Sequence, residues 1–208
     1  MAATTRRFAS QTAENDERRL KLVQSAYQLI AEKGMAGLRI REVAARIHLN
    51  HATLLYYFPT KEALIRGVID YCIQQFEVVH QQPDASSQPT SNELFQQRYF
   101  ADLAYQLRTA PELFLVLDEL LLHARRDPLT NHIFTEAMDM WLQFLIQNFE
   151  DEVSQGRLRA DLDVRSAAFM VITFCQGISL LLNARPDDID NIIHQLEHWL
   201  LNSILPSR

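Results

Sequence analysis

Cysteine is nearly missing from this chain: Cys72 and Cys175 are the only two in 208 residues. Each lies in an apolar helical stretch, which is no disulfide framework and fits a reducing compartment. Glycine and proline are also scarce, at five and seven residues, which excludes collagen-like and low-complexity chains. No glycine-rich phosphate loop, G-x-S-x-G elbow or H-E-x-x-H motif occurs. The chain therefore offers no catalytic residue, and no enzyme activity, cofactor or metal ion is expected. His194 and His198 stand four apart, a spacing that can hold a metal, but no third ligand accompanies them. The longest apolar run, residues 167–182, is 16 residues long and interrupted by Gln176. A membrane span needs about 20 residues, so this run reads as a buried helix. The first residues lack the apolar centre of a signal peptide, and the expected place is the cytoplasm, with no membrane partner.

What is present is an uneven charge. The net value of -6 divides into +5 over residues 1–66 and -11 over residues 67–208. A basic head on an acidic body is the arrangement expected where only the head meets phosphates. Apolar side chains recur at helical spacing throughout, and nowhere does a strand-like alternation stand between turn signals. The fold expected is all-α, with about nine helices. Residues 1–16 are polar and aperiodic and read as a mobile arm, in which Arg6 and Arg7 either reach a minor groove or stay solvated. A helix is expected over 17–33, closed by Gly34 as a left-handed cap. Short helices follow over 40–47 and 51–57, separated by His48-Leu49-Asn50, with Asn50 as N-cap of the second. A long helix runs over 61–81, then a Pro/Ser-rich loop over 82–91. Further helices are expected over 92–108, 111–126, 128–155, from 163 or 166 to 183, and from 187 to about 205.

The short pair carries the functional signal. A helix that reads DNA must be short, be crossed closely by the helix before it, and offer side chains to phosphates and base edges. Ala44 and Ala45 permit the crossing, His48 tolerates the positive φ of the turn, and Leu54 and Phe58 form the inward stripe. His51, Thr53, Tyr56, Tyr57 and Lys61 remain for the nucleic acid. The segment from Ile40 to Ile69 resembles the N-terminal domain of the TetR family of bacterial repressors. The agreement runs through Val43-Ala44, Leu49, Asn50, Ala52-Thr53-Leu54, Tyr57-Phe58, Thr60-Lys61-Glu62 and Leu64. The resemblance covers residues 18–69. Beyond it only the helical architecture and a G-R-L-R-x-D-L-D turn at residues 156–163 agree.

The resemblance implies roles. Thr53 and Tyr57 stand where phosphate is contacted, Lys61 where the next helix touches the backbone, and His51 and Ala52 where base edges are met. Arg41 lies where the second helix reaches a base or phosphate. Three positions depart from the pattern. Arg39 replaces the capping threonine and adds a cation, Ile47-His48 replaces Ala-Gly in the turn, and Leu55 replaces a phosphate-binding tyrosine. Leu55 can instead pack or meet a thymine methyl. The domain boundaries that follow are an arm at 1–16, a helix-turn-helix domain at 17–63, and a ligand-binding and dimerisation domain at 64–208.

The body is rich in aromatic residues. The resemblance implies a cavity for a small-molecule effector within residues 92–183, with Phe95, Arg98, Tyr99, Phe114, Asp118, Trp141, Thr173 and Gln176 as candidate lining. The last two helices are apolar on more than one face, which asks for cover on both sides. A two-fold homodimer supplies it through Phe169, Ile172, Gly177, Leu180, Leu181, Ile193, Leu196 and Leu200, and the family resemblance points the same way. A thick core within one chain is the alternative. The function expected is a ligand-responsive regulator, a repressor that binds a palindromic double-stranded DNA operator as a dimer and is released by a small molecule. The runner-up is a helical adaptor or ligand-binding protein whose head no longer reads DNA.

Overall fold

The computed structural model describes residues 2–81, 95–181 and 186–205. Among them are nine α-helices and one 3-10 turn, and no strand. The helices are α1 Ala2–Gly37, α2 Ile40–Arg46, α3 His51–Tyr57, α4 Lys61–Gln81, α5 Phe95–Thr109, α6 Pro111–Ala124, α7 Pro128–Ser154, α8 Val164–Leu181 and α9 Ile189–Ile204.

The first helix starts at Ala2, well before the expected Glu17, so the arm drawn over residues 1–16 is helical from Ala2 onward. The physical reason is that extending a formed helix costs far less than nucleating one, and residues 2–33 contain neither proline nor glycine to stop it. Glu14 pairs with Arg18, and Glu17 with Lys21 at 2.6 Å, each one turn apart. The side chains of Arg6 and Arg7 lie outside the described residues. Leu22, Val23, Ala26, Leu29 and Ile30 share the buried face. Gly34 does break the helix, but not as a left-handed cap. Its φ of 66° is joined to a ψ of 176°, where a cap has ψ near +47°. The chain kinks there and makes one more turn to Gly37.

The body helices begin where short-range chemistry starts them. Pro111 and Pro128 occupy first-turn positions, where the missing N–H would have no helical partner in any case. Asp127 caps α7 by accepting from the Thr130 N–H at 2.8 Å. Asp163 caps α8, taking the Ser166 N–H at 3.1 Å and the Ser166 hydroxyl at 2.6 Å. Gly156 ends α7 with φ 70°. Beyond it the Arg157 guanidinium forks onto the buried Glu152 carboxylate, Nε to Oε2 at 2.5 Å and Nη2 to Oε1 at 2.9 Å. The Arg159 N–H then donates to the Ile204 carbonyl at 3.0 Å, which ties the turn to the end of α9.

α8 is 18 residues long with a mean hydropathy of 1.5, apolar enough by length and composition to cross a membrane. Its Ala167, Ala168, Val171, Ile172, Cys175 and Ile178 are instead buried in the protein core. That core is one continuous cluster, from Leu22, Val43, Leu54 and Phe58 in the head to Phe100, Leu120 and Phe149 in the body. α4 is the shared element: Leu64, Ile65 and Val68 are buried in that cluster, and further along Ile69, Ile73 and Phe76 line a cavity in the body. The boundary drawn between residues 63 and 64 falls inside the first turn of this helix.

Candidate nucleic-acid interface and the cavity behind it

The α2–α3 pair is built from local hydrogen bonds. α2 ends as His48, with φ 57°, enters the left-handed region. The Leu49 N–H then reaches back to the Ala44 carbonyl at 2.9 Å and the His48 N–H to Ala45 at 3.1 Å. This double return satisfies carbonyls that the helix end leaves open. Asn50 starts α3, its Oδ1 accepting from the Thr53 N–H at 2.8 Å and the Thr53 hydroxyl at 3.0 Å. Leu54, at 0% exposure, anchors the inner face, and Phe58 is buried beside it with the Arg19 guanidinium 5.1 Å from its ring centre. The buried Ser25 hydroxyl donates to the Val43 carbonyl at 3.0 Å and fixes α1 against α2.

The outward face of α3 presents His51, Ala52 and Tyr56, all exposed, and Tyr56 reaches 75%. Arg39 and Arg41, at the start of α2, are exposed. Arg39 stands at the N-cap of α2 without a side-chain cap, and its Nη1 donates to the Ala36 carbonyl at 2.7 Å. Thr53, Leu55, Tyr57 and Lys61 are half-buried. Two of the phosphate donors implied by resemblance are engaged within the protein. The Thr53 hydroxyl donates to Asn50, and the Tyr57 hydroxyl donates to Asn15 Oδ1 at 3.0 Å. Tyr57 packs edge-on against Tyr56, ring centres 5.2 Å apart. Arg46 is held by Glu32 through two contacts, at 2.9 and 2.5 Å, and Lys33 by Glu42 at 2.5 Å.

A contact that sequence reasoning missed joins head to body. The Glu119 carboxylate on α6 accepts from the Met35 N–H at 2.9 Å, at the kink created by Gly34. The partners are 84 residues apart, so no local pattern announces them. Arg66 on α4 adds a second tie, to Glu136 on α7 at 2.7 Å.

Behind the head, α4 to α8 enclose a cavity of about 240 Å³. Of the residues expected to line such a space, Tyr99, Phe114, Asp118, Trp141 and Gln176 do so. Arg98 does not, being exposed. Thr173 also faces away, with its hydroxyl bonded to its own helix at the Phe169 carbonyl, 2.8 Å distant. Both fall on the solvent side of helices whose opposite side forms the wall. The Phe95 side chain lies outside the described residues. Ser179 donates to Asp118 Oδ1 at 2.8 Å. Burial pushes the Asp118 carboxyl above the usual carboxylate range; the Ser179 bond opposes this and the nearby Glu119 charge adds to it. The Trp141 indole N–H donates to the Tyr99 hydroxyl at 3.1 Å. Burial pushes the Cys72 and Cys175 thiols up to about 12, so neither is a thiolate near neutral pH.

The far side of the body exposes Phe169, Met170, Gly177, Leu180 and Leu181 on α8 and Trp199 on α9, with Phe169 at 59% and Leu180 at 57%. Three residues expected there are inside their own protomer instead: Ile172, Ile193 and Leu200 are buried, and Leu196 is half-buried. Each helix is apolar on two sides, and these four occupy the inner one. His194 and His198 are exposed on α9, and His198 Nε2 lies 3.1 Å from the Asn202 amide.

A capped short helix crossed by another, backed by a helical body, defines the class: an all-α helix-turn-helix protein. Comparison agrees with that class. Residues 22–68 match the family model of bacterial regulatory proteins, tetR family, so the N-terminal domain is similar to that family's. The HTH-type transcriptional repressor Rv3405c of Mycobacterium tuberculosis is 40% identical over 50 residues, covering 24% of this chain and 27% of that protein. The match thus spans about a quarter of that curated relative's length. A TetR transcription regulator from Haloarcula marismortui has the same fold over 92% of this chain and 100% of its own, with TM-score 0.75 at 19% identity. A transcriptional regulator from Saccharomonospora viridis, solved in complex with choline, superimposes over 92% of this chain and 100% of its own, with TM-score 0.69 at 19% identity.

Proposed function

We propose that the chain is a ligand-responsive transcriptional regulator, a cytoplasmic repressor that binds palindromic double-stranded DNA as a homodimer and lets go when a small molecule fills the cavity. The observation that carries this reading is α3 itself. It is short, capped by Asn50, anchored by Leu54, and shows His51, Ala52 and Tyr56 to solvent, while Arg39 and Arg41 at the start of the preceding helix are exposed too. The Thr53 and Tyr57 hydroxyls and the half-buried Lys61 stand at its edge for phosphates, the two hydroxyls after exchanging their internal partners.

Two such helices about 34–36 Å apart would read two half-sites one DNA turn apart. The exposed α8 face supports the pairing, because apolar side chains such as Phe169 and Leu180 gain by being covered. Two routes connect the cavity to the head: α4, which starts beside α3 and forms part of the cavity wall, and α6, whose Glu119 grips the α1 kink. A ligand that favours a different placement of either helix shifts the spacing of the heads, and affinity for DNA falls by the difference in its binding to the two states.

Selection of bound fragments from genomic DNA, followed by mobility-shift titration over a range of salt, tests the reading. A regulator of this kind yields a symmetric site, and its log affinity falls with log salt by roughly 0.9 per phosphate contact. Arg41→Ala should lower that slope by about one contact per protomer. Salt-insensitive or absent duplex binding would defeat the reading and favour a docking role for the head.

A further inference from the structure

The cavity walls are chemically one-sided. Six aromatic rings face it, those of Phe76, Tyr99, Phe114, Phe134, Trp141 and Phe144, together with aliphatic side chains and methionines. Among the described residues, no lysine, arginine or histidine lines it, and Asp118 is the only carboxylate that does. That residue is 8% exposed. Its Oδ1 accepts from the Ser179 hydroxyl, and among the described residues it has no ion-pair partner. Other polar groups of the wall face inward on the protein: the Gln106 amide donates to the Gln75 and Phe76 carbonyls at 3.5 and 3.4 Å, and the Trp141 N–H to Tyr99.

We propose that this cavity selects an organic cation, an ammonium group carried on an apolar body, with Asp118 as its counter-ion and the aromatic rings as its walls. The inference rests on the cavity being the effector site and names the chemistry of that effector. A buried carboxylate without a cation is costly, and the cost is removed when a ligand brings the missing charge. Aromatic faces attract the same charge through their negative quadrupole, most strongly where water is excluded. An anionic effector would meet a like charge and no cationic partner. A cavity of about 240 Å³ suits a small ligand.

Calorimetric titration of the full-length chain with benzyltrimethylammonium and with its uncharged carbon isostere, neopentylbenzene, tests the proposal. The cation should bind at least about tenfold more tightly than the isostere. Asp118→Asn, which can still accept from Ser179, should abolish that preference, Asp118→Glu should retain part of it, and Ser179→Ala should keep it. Thermal melts establish that each variant folds. Should Asp118→Asn fail to fold, the comparison of the two probes on the unaltered chain still decides. Equal or tighter binding of the isostere would overturn the cation assignment while leaving a hydrophobic effector cavity standing. Undiminished cation binding by folded Asp118→Asn, or no binding of either probe, would overturn it as well. Mobility shift without any probe reports separately on the DNA-binding reading.

Discussion

A methyl group added at Gly34 would be a severe test of how head and body are joined. The Cβ of an alanine there would stand 2.8 Å from Oε2 of Glu119 and 3.2 Å from its Cδ. The backbone is also at φ 66° and ψ 176°, a region essentially confined to glycine, where another residue costs on the order of 1–3 kcal/mol. The carboxylate must swing away, and its bond to the Met35 N–H is lost. A hydrogen bond to a charged group is worth about 1.5–3 kcal/mol, and the lower end applies because Glu119 is half-buried. Together these give about 3 kcal/mol, a large part of the roughly 5–15 kcal/mol that holds a domain folded. Urea unfolding of Gly34→Ala, Glu119→Ala and the double variant measures the effect. Because both single changes break the same bond, the double variant should be less destabilised than the sum, by about 1 kcal/mol or more. Strict additivity, or a Gly34→Ala cost within about 0.5 kcal/mol of zero, would refute the reasoning.

Asn50→Ala removes the cap of α3 and should cost about 1 kcal/mol of stability by thermal melting; mobility shift should show a larger loss, because the reading helix frays first. Leu180→Glu places a charge on the exposed α8 face and should leave each protomer folded but make it monomeric in sedimentation equilibrium, with weakened DNA binding; an unchanged dimer would remove α8 from the interface. Asp118 has a folded-state pKa raised by burial, so ionisation disfavours the native state. That penalty sets in as pH rises through the unfolded carboxyl value and is complete above the raised folded one. Asp118→Asn should therefore stabilise the ligand-free protein at neutral pH relative to the parent, with the difference vanishing in acid, as followed by melting temperature against pH.

Much of this architecture is legible in the residues because it is written locally. Asn50, Asp127 and Asp163 start helices through bonds to residues three positions away, Pro111 and Pro128 by filling first-turn positions, and such chemistry survives translation into a pattern. His48 was readable for the same reason: a turn of that shape needs a positive φ. What failed was non-local. Nothing near Glu119 indicates Met35, and nothing near Ser179 indicates Asp118, since tertiary packing alone brings them together. The α8 and α9 stripes were misassigned in part because apolarity does not say which side is covered by the same chain. Ile172, Ile193 and Leu200 face inward, whereas Phe169 and Leu180 face out. The Ala2 start of α1 leaves no amphipathic period in the sequence, because extension from a nucleated turn needs none.

Asp118 and Glu119 are consecutive on α6, and consecutive residues of a helix point about 100° apart around its axis. One lines the cavity and meets α8, the other clasps the kink at the end of α1. Mechanically they are two spokes of one wheel. Under the proposed release by a small molecule, a guest that drew the first spoke inward would turn the hub, and the second would lose its grip unless the kink followed. The coupling would then be a twist, not only a push, and the corner before α2 would be where loosening is first felt, for example as faster amide exchange at Met35.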